Sequence, residues 1–132
     1  MATYEYSGIN SSATISLLAG AALTSPKGIA LAFDEDGLKL PSAGADVVGI
    51  ALLTNDDAVA VGGRVDVQIK DIGKVFAGGS FDQGDLLTVA ATGKAVKATA
   101  GDVVFARALA PATASGDLVT VQILHCGTIP SA

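Results

Sequence analysis

Two short stretches, Val65-Asp-Val-Gln-Ile69 and Val119-Thr-Val-Gln-Ile123, indicate how this chain folds. In both, branched apolar residues alternate with polar ones. Successive side chains of a β-strand point to opposite faces, so this alternation predicts a strand with one buried and one exposed face. We predict long strands over residues 65–69 and 118–124, and we place Val67 and Val121 in the core.

The similarity of these stretches extends along the chain and indicates an internal repeat. The matching segments are Gly28 with Gly84, Gly37 with Gly93, Asp46-Val-Val48 with Asp102-Val-Val104, Ala51-Leu52 with Ala108-Leu109, and Gly73-Lys-Val75 with Gly127-Thr-Ile129. The two copies cover about residues 25–75 and 81–129. Each copy is predicted to contain a strand, an acidic or glycine turn, a short strand, an Asp-Val-Val strand, a loop and the long alternating strand.

The repeat predicts an all-β fold. No long window shows the 3.6-residue period of a helix, and the 16 glycines would interrupt most helices. One unit has too few strands to bury its apolar face, so we expect the two to pack together. The prediction is a single compact β-barrel or β-sandwich domain over residues 25–132, preceded by an extended N-terminal arm over residues 1–24.

The predicted arm contains both tyrosines of the chain, Tyr4 and Tyr6, together with Ile9. A segment of this kind is either a frayed terminus or an arm that becomes ordered on a partner. In the second interpretation, large side chains anchor the segment. Tyr4, Tyr6 and Ile9 are therefore the predicted partner-contact residues.

The composition favours a protein that buries part of its apolar surface against another subunit or a partner. Hydrophobic residues make up 50% of the 132 residues, charged residues 16% and aromatic residues 5%, with no tryptophan. A core of small apolar residues gains little buried area per residue. We therefore expect part of the apolar surface to lie between subunits or against a partner.

Charge argues against two classes of partner. The net charge is −5, and Arg64 and Arg107 are the only arginines, so we expect no nucleic-acid or anionic-membrane binding. The apolar stretch over residues 15–23 is too short to span a bilayer. It also lacks the preceding Lys or Arg of a signal peptide, so we expect synthesis in the cytosol.

The residues that carry chemistry are few and scattered. His125 and Cys126 are the only histidine and cysteine; as neighbours on a strand they would point to opposite faces, and they are too few for a zinc site. The acidic groups Asp34-Glu35-Asp36 and Asp56-Asp57 are interpreted as turn residues rather than calcium ligands. Gly93-Lys94 lacks the rest of a phosphate-binding loop. We predict no catalytic residue, no metal and no cofactor.

One family has this pattern of residues. The segments Val47-Val-Gly-Ile-Ala-Leu52, Gly62-Gly-Arg-Val-Asp-Val-Gln-Ile69, Gly84-Asp-Leu-Leu87 and Gly93-Lys-Ala-Val96 follow one another in the chain. Over about residues 28–123 the sequence resembles the bacteriophage capsid decoration, or cement, proteins. The second copy departs from the first at Phe105 and Arg107, where the first has Gly49 and no basic residue.

The resemblance implies a viral structural protein, made in the host cytoplasm, that binds the outer surface of an icosahedral head and stabilises it. It implies the major capsid protein as a partner and self-association as a homotrimer. Two alternatives stay open at this point. One is another phage structural β-module, from a tail, baseplate or fibre, and the other is an enzyme or carrier domain.

Overall fold

The computed structural model describes residues 14–125 and 127–130, which form twelve β-strands and no helix. No part of this described chain is therefore a helix that could cross a membrane. The strands are β1 (Thr14–Leu18), β2 (Leu23–Thr24), β3 (Ala30–Asp34), β4 (Gly37–Lys39), β5 (Gly49–Ala51), β6 (Ala58–Val59), β7 (Arg64–Gln68), β8 (Ile72–Phe76), β9 (Leu86–Val89), β10 (Ala95–Lys97), β11 (Ala106–Ala108) and β12 (Leu118–Ile123).

The strands form two five-stranded antiparallel sheets and one two-stranded sheet. The first sheet has the order β1-β7-β5-β3-β4, and the second has the order β8-β12-β11-β9-β10. Strands β2 and β6 form the small sheet, in which Leu23 is paired with Val59. The predicted all-β class is confirmed, and the sheets pack in a compact, sandwich-like arrangement rather than a closed barrel.

The two large sheets have the same internal design. Ala51 of β5 is paired with Val67 of β7, and Ala108 of β11 is paired with Val121 of β12, as the sequence repeat suggests. In each sheet, the residue that follows the first strand forms an isolated parallel bridge with the strand at the opposite edge. These bridges are Ala19 with Leu38 and Ala77 with Ala95.

Strands β1 and β8 are at equivalent edges of the two large sheets. Leu17 of β1 is paired with Val65, and Val75 of β8 is paired with Val119 in the same way. Strand β8 therefore takes in the second sheet the place that β1 takes in the first. Residues 14–24, which the sequence comparison left outside the repeat, contribute β1 and β2. The division at residue 24 and the single-domain assignment stay predictions.

Each half has its own apolar core. In the first, Leu31, Leu38, Val65 and Val67 are fully buried. In the second, the buried cluster includes Leu87, Phe105, Val119 and Val121, and it also takes in Ala30, Val47 and Ile50 from the first half. The predicted core positions Val67 and Val121 are confirmed, since both side chains are 0% exposed.

Backbone hydrogen bonds join the two halves along one seam. Phe76 N–H donates to the carbonyl of Gly28 at 2.7 Å, and Ala30 N–H donates to that of Gly93 at 2.7 Å. Gly28 has a positive φ of 70°, and a Cβ there would lie 2.8 Å from the Phe76 ring. A glycine at this position allows the first strand of the second half to lie directly against the first half.

The Asp-Val-Val strands predicted in both copies are wrong. Residues 46–48 form a loop, and β5 begins only at Gly49; in the second copy Val103 forms an isolated bridge, and β11 begins at Ala106. The Asp46 carboxylate accepts a hydrogen bond from the Val47 N–H at 2.9 Å, which turns the backbone before the strand. Gly49 then lies so close to β7 that a Cβ at this position would clash with the Gln68 carbonyl.

Candidate functional site

The predicted contact residues Tyr4, Tyr6 and Ile9 lie outside the described residues, and so does Cys126. His125 follows β12 rather than lying in it, and it is exposed. Its Nε2 lies 2.8 Å from the Ile69 carbonyl oxygen, and this hydrogen bond joins the chain after β12 to the chain after β7.

Two acidic side chains hold turns in the structure: Asp34, which the sequence assigned to a turn, and Asp117. Asp34 accepts hydrogen bonds from the N–H groups of Asp36, at 2.8 Å, and Gly37, at 3.1 Å. Asp117 accepts from the Thr113 N–H at 2.9 Å and the Thr113 hydroxyl at 3.0 Å. These bonds, with one from the Ala114 N–H, lower the pKa of the Asp117 carboxyl. Both residues hold their turns closed.

The outward face of the second sheet carries a group of uncovered apolar side chains. Val119, Val121 and Ile123 of β12 point into the core, so Leu118, Thr120 and Gln122 point the other way. The pairing of β8 with β12 places one β8 side chain beside each of these three. The pairs are Phe76 with Leu118, Lys74 with Thr120, and Ile72 with Gln122. We call this surface the β8–β12 face.

Strand β11 extends the β8–β12 face by one more column. Arg107 is paired with Gln122, and the Leu109 N–H donates to the Thr120 carbonyl at 3.0 Å. Three large apolar side chains of the face are uncovered, with 61% of Ile72, 41% of Leu118 and 37% of Leu109 exposed. A cluster of such side chains on an open sheet is typical of a contact surface.

The equivalent face of the first sheet is more polar, although Leu18, at the position of Phe76, is 49% exposed, and this face serves as an internal reference. Thr14 occupies the position of Ile72, and Arg64 occupies that of Leu118. Ser16 and Asp66 take the positions of Lys74 and Thr120. The same backbone design therefore carries a mainly polar surface in one half and a more apolar surface in the other.

A cleft continues the β8–β12 face across the seam between the halves. Its volume is about 310 Å³. Its lining includes Leu53 from the loop after β5, and Ile72, Lys74 and Thr120 from the face. The Gln68 side chain closes one end, where its Nε2 donates to the Ile72 carbonyl at 2.6 Å. An apolar side chain of a partner would fit here, beside Ile72 and Leu53.

The β8–β12 face is cationic as well as apolar. Lys74 and Arg107 are exposed, and neither forms an ion pair within the described residues, whereas Lys27 lies 2.8 Å from Asp57. Lys27 lowers the pKa of the Asp57 carboxyl through that hydrogen bond and its charge. No carboxylate stands at an outward position of β8 or β12. The arrangement suits an acidic, partly apolar protein surface and offers no nucleophile with a base beside it.

The sequence prediction missed this face, although part of the signal was present. The alternation in β12 marked Thr120 and Gln122 as outward. Ile72 was assigned to no face, because β8 was not recognised as the edge strand beside β12. Only the strand pairing brings Ile72, Leu118 and Leu109 together.

The fold defines a class: small all-β proteins built from two similar units. No protein-family model and no curated protein matches the chain. Among solved structures, the chain is similar to the head fiber gp8.5 N base in bacteriophage phi29, with a TM-score of 0.63 and 21% sequence identity. The match covers 89% of this chain and 98% of that one. At this identity, the similarity shows a common fold.

Proposed function

We propose that this chain is a bacteriophage structural protein that binds the outer surface of the assembled head and stabilises it. The observation that carries the proposal is the fold, which most of the chain shares with a protein named as the base of a head fiber. The apolar β8–β12 face supports a role in binding. The residues that resemble capsid decoration proteins point in the same direction.

Stabilisation follows from mass action, without catalysis. A protein that binds the assembled shell but not its separated subunits shifts the equilibrium toward the shell. At a free concentration of 100 times Kd, each occupied site contributes about 2.7 kcal/mol. We propose the major capsid protein as the partner and a homotrimer as the binding unit, since several contacts made at once raise the avidity.

The N-terminal residues Tyr4, Tyr6 and Ile9 are proposed to contact the shell. Deletion of residues 2–13 leaves β1, which begins at Thr14, intact. The shortened chain is expected to keep the fold and the oligomeric state of the full chain but to lose binding to heads. Head binding equal to that of the full chain would remove the N-terminal residues from the contact.

Co-sedimentation with expanded, undecorated phage heads tests the function. The expected result is saturable binding at a fixed ratio to the major capsid protein, with a higher melting temperature of the heads. The matched control is the same protein with heads that have already been saturated with it. Absence of binding by a folded protein would contradict the proposal.

A second candidate is a component of a tail, a baseplate or a fibre. The name of the structural neighbour, a head fiber base, favours the fibre in particular. In that case the protein would bind at a few defined positions of the particle rather than across the shell. The ratio of bound protein to major capsid protein separates the two candidates.

A further inference from the structure

The internal duplication indicates which surface is specialised. The two sheets have the same strand order, so residues at equivalent positions can be compared directly. At two equivalent positions the first half has Thr14 and Arg64, and the second half has Ile72 and Leu118. The first-half face has one exposed large apolar side chain, Leu18, whereas the β8–β12 face has three, Ile72, Leu109 and Leu118. Such a concentration is typical of a face that is covered in an assembly.

The charge of the chain is divided unequally between its halves. Residues 14–71 contain eight acidic and four basic residues, whereas residues 72–130 contain four of each. The β8–β12 face lies in the neutral half and carries Lys74 and Arg107, both without an ion pair in the described chain. The partner that matches this face is a protein surface with exposed apolar side chains and an excess of carboxylates.

The first half of the chain has such a surface at the β3–β4 hairpin. Phe33 is 54% exposed, and Glu35 and Asp36 at the turn are exposed. Asp34 fixes the turn through its hydrogen bonds to the N–H groups of Asp36 and Gly37. The hairpin therefore presents two unpaired carboxylates beside a large apolar side chain on a defined backbone.

We propose that the β8–β12 face binds the β3–β4 hairpin of a second copy of this chain, head to tail. Lys74 and Arg107 face Glu35 and Asp36, and Ile72 and Leu118 supply the apolar contact. A contact between two β8–β12 faces would contain only like charges, whereas the β3–β4 hairpin supplies opposite ones. A head-to-tail contact forms a ring when its rotation closes, and a ring of three is the homotrimer of the proposed function.

Charge reversal at the face tests the contact through the mass of the particle in solution. The variant is Lys74→Glu with Arg107→Glu, and the control is Arg64→Glu with Lys70→Glu, which changes the net charge equally. All four residues are exposed, so both variants are expected to keep the fold, as thermal unfolding will verify. By size-exclusion chromatography with light scattering, the full chain and the control are expected to be oligomers. The face variant is expected at 13.0 kDa, the mass of one chain.

A complementary reversal tests the identity of the occupant. Glu35→Lys with Asp36→Lys is expected to be monomeric alone and to associate when mixed with the face variant, since the charges are then exchanged. A monomeric full chain, an oligomeric face variant, or a mixture that stays monomeric overturns the proposal. No heads are present in this experiment, so its failure is distinct from a failure to bind the shell. The inference rests on the proposed function only for the number of copies in the ring.

Discussion

Asn55 shows how one buried polar residue fixes the loop that borders the cleft. Its Nδ2 donates to the carbonyls of Leu52, at 2.9 Å, and Asp66, at 2.8 Å. Its Oδ1 accepts from the Asp66 N–H at 2.9 Å. A side chain that is 8% exposed thus joins the loop after β5 to strand β7. The sequence analysis did not single out Asn55, because a polar residue beside two aspartates is also what an exposed turn would contain.

Replacement of Asn55 is expected to destabilise the fold. Asn55→Ala removes three hydrogen bonds and leaves the part-buried Asp66 N–H without its partner, which costs about 1 to 3 kcal/mol. The free energy of unfolding, measured with a denaturant, is expected to fall by that amount. Thr54→Ala, at the exposed neighbouring position, is the control and is expected to change it by less than about 0.5 kcal/mol. Equal stability of the two variants would contradict the role given to Asn55.

Thr88 is expected to behave in the opposite way. Its side chain is 2% exposed, and its hydroxyl is the buried side-chain polar atom without a hydrogen-bond partner among the described residues. Valine has nearly the same shape and no hydroxyl, so Thr88→Val removes the cost of burying an unpaired polar group. The free energy of unfolding is expected to rise by about 1 kcal/mol. Thr92→Val, at an exposed site, is the control; a loss of stability in Thr88→Val would show that the hydroxyl has a stabilising contact.

At the scale of single elements, the sequence predicted best those strands that have one buried and one solvent-exposed face. The strands predicted over residues 65–69 and 118–124 are β7, at Arg64–Gln68, and β12, at Leu118–Ile123. Strand β5 is buried on both faces, so it shows no alternation, and the preceding valines were taken for the strand. The two-residue strands β2 and β6 leave too short a pattern to recognise.

The two long strands also permit a matched test of facing. Val67→Asp or Val121→Asp would bury an unpaired carboxylate in a core position, at a cost of several kcal/mol, comparable to the whole stability of a domain. Both variants are expected to lack a cooperative thermal transition. Gln122→Asp, one residue along on the exposed side of β12, is expected to keep it. An unshifted transition in either valine variant would show that the assigned facing is wrong.

At the scale of the whole molecule, the duplicated design explains both what the sequence revealed and what it concealed. The repeat was visible because turn glycines and long strands recur in both halves. The specialised face was not visible, because Ile72, Leu109 and Leu118 belong to three separate segments that only the pairing of β8, β12 and β11 brings together. The difference between the equivalent faces, of which the one in the second half is the more apolar, is a property of the assembled sheets.

Cryo-electron microscopy of expanded phage heads incubated with the protein tests the central claim, binding to the outside of the assembled shell, most directly. We predict additional density on the outer surface, repeated over the shell, with each unit large enough for a ring of copies in head-to-tail contact. Heads without added protein are the control and should lack this density. A bare shell, or density confined to the tail vertex, would contradict the account.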